Sequence, residues 1–126
     1  MQKKILVVDH RSVGLSTVSE LLRLQGYHVE KAESENALRI MCHEQYALII
    51  SDVLSDGLCV LENAKAVSPA VPVVLMSNEH ILTRNEAIQL GAYELIEKSD
   101  LVSEQMKKIK RALDKENPLK SALAPD

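Results

Sequence analysis

A chain of 126 residues suffices for one domain with its own core, and 46% apolar with 26% charged residues excludes wholesale disorder. A net charge of -3 gives no basis for nucleic acid or an anionic membrane as partner, and three tyrosines without Phe or Trp exclude base stacking on aromatic platforms. No apolar stretch could span a bilayer, and Met1-Gln2-Lys3-Lys4 leads into a strand-like run rather than a signal peptide, so a cytoplasmic location is expected. Cys42 and Cys59 lack CxxC spacing and read as small core hydrophobes kept as thiols in a reducing compartment.

In chain order, residues 4–9 form the first strand. Val13, Val18, Leu21, Leu22 and Leu24 then recur at helical spacing, predicting a helix over about 12–25 that stops at Gly26. His28-Val29-Glu30-Lys31-Ala32 alternates polar and apolar side chains, as an exposed edge strand does. Ser34 is a candidate N-cap for a second helix turning Ala37, Leu38, Met41 and Cys42 inward. Tyr46 to Ser51 is the third strand; Ser55-Asp56-Gly57 makes a turn with Asp56 as N-cap, and a third helix carries Leu58, Val60, Leu61 and Ala64 towards Pro69.

Val71 to Met76 is the fourth strand. Thr83-Arg84-Asn85-Glu86 has capping-box spacing and opens a fourth helix that stops at Gly91. Tyr93 to Glu97 is the fifth strand, and Asp100 can cap a fifth helix with Leu101, Val102, Met106, Ile109 and Leu113 on one face. Periodicity fades from Lys115, so residues 1–116 are read as the domain and 117–126 as a tail or the start of a linker.

Alternating strands and helices predict an α/β fold, a doubly wound five-stranded parallel sheet with helices on both faces. The polar second strand belongs at an edge, which favours the flavodoxin-like strand order 2-1-3-4-5. In a parallel sheet all strand C-termini share one edge. There the four inner or apolar strands end in polar groups: Asp9 after Ile5-Leu6-Val7-Val8, Asp52 after Leu48-Ile49-Ile50-Ser51, Ser77 after Val73-Val74-Leu75-Met76, and Lys98 after Leu95-Ile96-Glu97. A carboxylate beside a hydroxyl and an ammonium suits acceptance of a phosphoryl group, because these donors offset the charge of the incoming oxygens.

With these motifs in this order, residues 3 to about 114 resemble the CheY-like receiver domain of two-component response regulators. The resemblance rests on Ile-Leu-Val-Val-Asp at 5–9, Leu-Ile-Ile-Ser-Asp at 48–52, Pro-Val-Val-Leu-Met-Ser at 72–77, and Gly91-Ala92 followed by Lys98. It implies Asp52 as phosphoacceptor, Ser77 as the hydroxyl that follows the phosphoryl group and Lys98 as its ion-pair partner. It further implies a Mg2+ site built from Asp9, Asp52 and the backbone carbonyl of Leu54, and a chain that is not itself an enzyme. The implied partners are a histidine kinase or phosphotransfer protein, a downstream protein on the helix 4, strand 5, helix 5 face, and a second copy in a homodimer.

The chain also departs from the family. His10 stands where a second acidic residue usually provides the direct Mg2+ ligand, and an imidazole poorly replaces an oxygen for so hard a cation. Weakened Mg2+ binding is the expected consequence. Val53-Leu54-Ser55 leads straight to Asp56-Gly57, a loop about three residues shorter than usual. Leu95 takes the position of the switch aromatic, with Tyr93 two residues earlier on the same strand face, and Ser99 replaces the Pro after the lysine. A phosphoryl group adds roughly -1.5 to -2 charges, so beside Asp9 and Lys98 a cation, protonated His10 or Arg11 must neutralise it. These departures favour an alternative function, a pseudo-receiver that docks proteins without phosphorylation.

Overall fold

The apolar runs become five parallel strands: β1 (Lys4–Val8), β2 (His28–Ala32), β3 (Leu48–Asp52), β4 (Val73–Ser77) and β5 (Glu94–Glu97), ordered β2-β1-β3-β4-β5. The computed structural model describes residues 3–9, 13–53, 57–78 and 81–114. The helices are α1 (Val13–Leu24), α2 (Ser34–Ile40), α3 (Gly57–Val67), α4 (Arg84–Leu90) and α5 (Val102–Asp114). Strand order and class are those expected of the flavodoxin-like fold.

Burial follows from this order. β3 and β4 are buried at every position, because helices cover both faces of a central parallel strand. β2 lies at the edge and buries only Val29 fully; the alternation expected of it is interrupted because Glu30 and Lys31 are consecutive polar residues. Ile5, Val7, Leu48, Ile50, Val74, Met76 and Ile96 face α1 and α5 in one core cluster; Leu6, Val8, Ile49, Val73, Leu75 and Leu95 face α2, α3 and α4 in the other. Each cluster is aliphatic apart from its tyrosines, so shape rather than aromatic stacking holds the layers together.

The edge strand is tied down by polar groups at the opposite end of the sheet from the candidate site. Lys4 Nζ lies 2.8 Å from Glu44 and 3.3 Å from Glu30, and buried Tyr46 donates its hydroxyl to Glu30 at 2.8 Å. Desolvation first, then the hydrogen bond to Glu30, pushes the Tyr46 hydroxyl above its ordinary pKa.

Several local expectations hold and others fail for identifiable reasons. Thr83 and Glu86 form the reciprocal capping box, and Gly26 and Gly91 take positive φ of 95° and 113° at their helix ends. Ser34 is the first residue of α2 rather than its cap; Glu33 holds that place without a side-chain bond. Both cysteines are exposed, not core: Cys42 falls in the turn beyond α2, where helical phase is lost, and Cys59 points away from the Val60-Leu61-Ala64 stripe of α3. Leu101 and Val102 are exposed too, because α5 begins only at Val102 and its inward stripe starts at Gln105. Asp100 does not cap α5. Its carboxylate instead accepts from the Glu97 N–H at 3.1 Å, while the Gln105 N–H donates to Leu101 O at 3.0 Å.

Candidate functional site

Strand alternation decides which chemistry reaches the C-terminal edge. Asp52 and Lys98 continue the Leu48/Ile50 and Ile96 positions that face α1 and α5, as does Asp9 after Ile5/Val7, whereas Ser77 follows Val73/Leu75 on the other face. Val8 pairs with Ser51, so the next residues, Asp9 and Asp52, leave neighbouring strands at the same level. Asp9 is half-buried, with its N–H donating to Ala32 O at 3.1 Å.

Lys98 supplies the decisive contact. Its four-carbon stem carries Nζ from beyond β5, across β4, to Asp52 Oδ2 at 2.7 Å. The lysine side chain is 12% exposed and the aspartate 4%, so this is a charge-assisted hydrogen bond largely shielded from water. Between them in the sheet, at the end of β4, Ser77 is 1% exposed, and its Oγ is the buried side-chain atom among the described residues that finds no hydrogen-bond partner in the protein. Such a hydroxyl is costly unless something accepts from or donates to it. The arrangement can therefore bind extra anionic oxygens beside a carboxylate.

Two buried polar groups around β5 were not read from the sequence. Gln105 of α5, 5% exposed, donates its side-chain amide to the carbonyls of Lys98 and Asp100. Its only sequence signal is a polar residue within an apolar helical stripe. Glu94 is 6% exposed and accepts from Arg84 of α4, Nε at 2.6 Å and Nη2 at 3.4 Å, as well as from the Leu95 N–H at 3.0 Å. Burial alone would raise its pKa, but Arg84, the Leu95 N–H and Lys108 together hold it below the usual 4.5. A lowered folded-state value means the pair stabilises fully above 4.5 and loses that contribution as pH falls below it. In urea unfolding across the acid range, the stability advantage of wild type over Glu94→Gln is expected to shrink below that pH. A constant difference would contradict it.

Tyr93 does not share a face with Leu95. β5 starts at Glu94, so Tyr93 precedes the alternation; it packs against the α1/α5 cluster and donates to Arg111 O at 3.5 Å, while Leu95 lies buried in the other cluster. Of the basic residues in α5, Lys108 is half-buried and donates to Leu95 O at 3.3 Å, whereas Lys107 pairs with Glu104 at the surface.

His10, Arg11, Leu54, Ser55 and Asp56 lie outside the described residues, as does the 116/117 domain boundary. Among the described residues no three His, Cys, Asp or Glu side chains form a metal-holding group. Two carboxylates at adjoining strand ends nevertheless fit Mg2+, which takes one or two protein carboxylates and fills its other positions with water and phosphate oxygens. No helix among the described residues is long and apolar enough to cross a membrane.

This fold and edge chemistry define a class. The profile of the response regulator receiver domain matches residues 5–112, and the chain belongs to that family of two-component signalling domains. It is 34% identical over 97 residues to the transcriptional regulatory protein ZraR of Escherichia coli K12, covering 73% of this chain and 22% of that protein. Among solved structures it is similar to NtrX from Brucella abortus in complex with ADP, with a TM-score of 0.83 and 30% identity over 97% of this chain and 28% of that one. The beryllofluoride-activated NtrC4 receiver domain dimer gives a TM-score of 0.78 at 29% identity, covering 92% of this chain and 100% of that one. The chain spans about a fifth of the length of the curated relatives it matches.

Proposed function

We propose that Asp52 accepts a phosphoryl group from a histidine kinase or phosphotransfer protein, with Ser77 and Lys98 serving the incoming oxygens. One observation carries this reading: a shielded Asp52–Lys98 pair at 2.7 Å beside a buried, unpartnered Ser77 hydroxyl. A carboxylate oxygen of Asp52 forms the new P–O bond, the donor's P–N bond breaks, and the departing imidazole takes up a proton. The Asp52 oxygen bonded to Lys98 keeps its cation nearby while charge accumulates. Mg2+, held by Asp9, Asp52 and the Leu54 carbonyl, would supply further neutralisation of the phosphoryl oxygens. The group ends on the chain itself, so the protein is a recipient rather than an enzyme.

His10 in place of an acidic ligand weakens Mg2+ binding under this reading. His10→Asp is expected to tighten Mg2+ binding in a calorimetric titration; equal affinities would contradict the weakening. Output passes through α4, β5 and α5, where Ile88, Leu90, Leu101 and Val102 are exposed, to a downstream protein or to a second copy, as in the NtrC4 receiver dimer.

The test is intact mass after treatment with acetyl phosphate and Mg2+. Wild type is expected to gain one phosphoryl adduct and Asp52→Asn none. A wild type without adduct would favour the second reading, a pseudo-receiver docking proteins without phosphorylation. That reading draws on Leu95 buried in the cluster facing α2, α3 and α4 and on Tyr93 donating to Arg111 O, so that among the described residues neither position of β5 brings an aromatic to the end of the sheet that holds Ser77.

A further inference from the structure

Lys98 must hold its ammonium against Asp52 from two strands away, yet the residue after it, Ser99, is exposed and has none of the rigidity of a proline. The restraint comes from elsewhere. The Lys98 N–H donates to Ser77 O at 2.8 Å, extending the β4–β5 ladder by one rung. On the other side of its Cα, the Lys98 carbonyl accepts from Gln105 Nε2 at 3.3 Å, and the same nitrogen donates to Asp100 O at 2.9 Å. Both protons of the glutamine amide are thereby used on the connection between β5 and α5. Helical side chains tilt towards the N-terminus of their helix, which lets Gln105 reach back over the first turn of α5 to these carbonyls. The connection itself is closed by the Asp100 N–H on Glu97 O at 3.0 Å and the Glu97 N–H on Asp100 Oδ2 at 3.1 Å.

We propose that Gln105 is a positioning residue for Lys98: its buried amide clamps the Lys98 carbonyl so that the ammonium stays on Asp52. Its effect on phosphoryl acceptance rests on the function proposed above; its effect on Lys98 does not. A buried amide that satisfies two main-chain carbonyls is not replaceable by an apolar side chain of equal volume, which packs but donates nothing.

Competitive acylation of the full chain with an amine-reactive reagent, read lysine by lysine by mass spectrometry, tests it. Gln105→Met keeps the volume, and Gln105→Glu keeps the shape but aims a carboxylate at two carbonyl oxygens. Lys98 is expected to react several-fold faster in both variants, relative to exposed Lys107 and Lys110 in the same molecule. Acetyl phosphate labelling of Asp52 is expected to slow several-fold in Gln105→Met, with no further slowing when that change is added to Lys98→Met. Unchanged Lys98 reactivity would overturn the proposal, and so would a Gln105→Met effect that persists in full without Lys98. If wild type itself takes no phosphoryl group, the phosphoacceptor reading fails alone, and Lys98 reactivity still decides the role of Gln105.

Discussion

Lys98→Met is expected to lower stability by about 3 kcal/mol at neutral pH, and Asp52→Asn in the same chain is expected to restore most of that loss. The reasoning is asymmetric. Removing one member of a shielded ion pair leaves the other charge without compensation, which costs roughly 3 to 5 kcal/mol in buried pairs. Here the side chains are 12% and 4% exposed and sit at a sheet edge, so the lower end applies. Removing both charges eliminates the carboxylate that has lost its ammonium. A double-mutant cycle in urea decides the matter: near-additive losses would mean that the 2.7 Å contact contributes little beyond its separate residues.

Ser77→Ala is expected to move stability and function in opposite directions. The Oγ is buried without a partner, so deleting it removes a desolvated polar atom and is expected to raise stability by about 1 kcal/mol. Under the proposed function the same deletion takes away a donor to the phosphoryl oxygens, an interaction worth on the order of 100-fold in rate at comparable sites. The paired measurements are the urea midpoint and the rate of the Asp52 adduct with acetyl phosphate. A destabilised Ser77→Ala would show that the hydroxyl is a structural group, and an unchanged rate would remove it from the proposed chemistry.

The strands and their order were legible because burial on both faces leaves an unmistakable mark: Ile49-Ile50 and Val73-Val74-Leu75-Met76 are continuous apolar runs, whereas His28 to Ala32 is mostly polar and only Val29 is fully buried. The meeting of Lys98 and Asp52 followed from the shared edge, since parallel topology leaves their strand ends no other place. What escaped was information carried by phase. Cys42 fits an inward helical stripe only if α2 continues past Ile40, and Tyr93 shares a face with Leu95 only if β5 begins one residue earlier than it does. Gln105 and Glu94 escaped for a different reason. A polar residue at a buried position is recognisable only through its partners, the Lys98 carbonyl and the Arg84 guanidinium, which lie on other elements.

The two exposed thiols have a practical consequence. Cys59 lies in the first turn of α3, the helix that follows Asp52, while Cys42 lies past the far end of α2, on the side where strands begin. Unmodified chain thus carries one attachment point near the sheet edge that holds Asp52 and another remote from it, both on the face opposite α1 and α5. A fluorophore pair placed on them gives a ruler with one end at the site and a fixed reference at the other. Because neither thiol lies on α4, β5 or α5, such a ruler would report events at Asp52 without obstructing a partner seated on those elements.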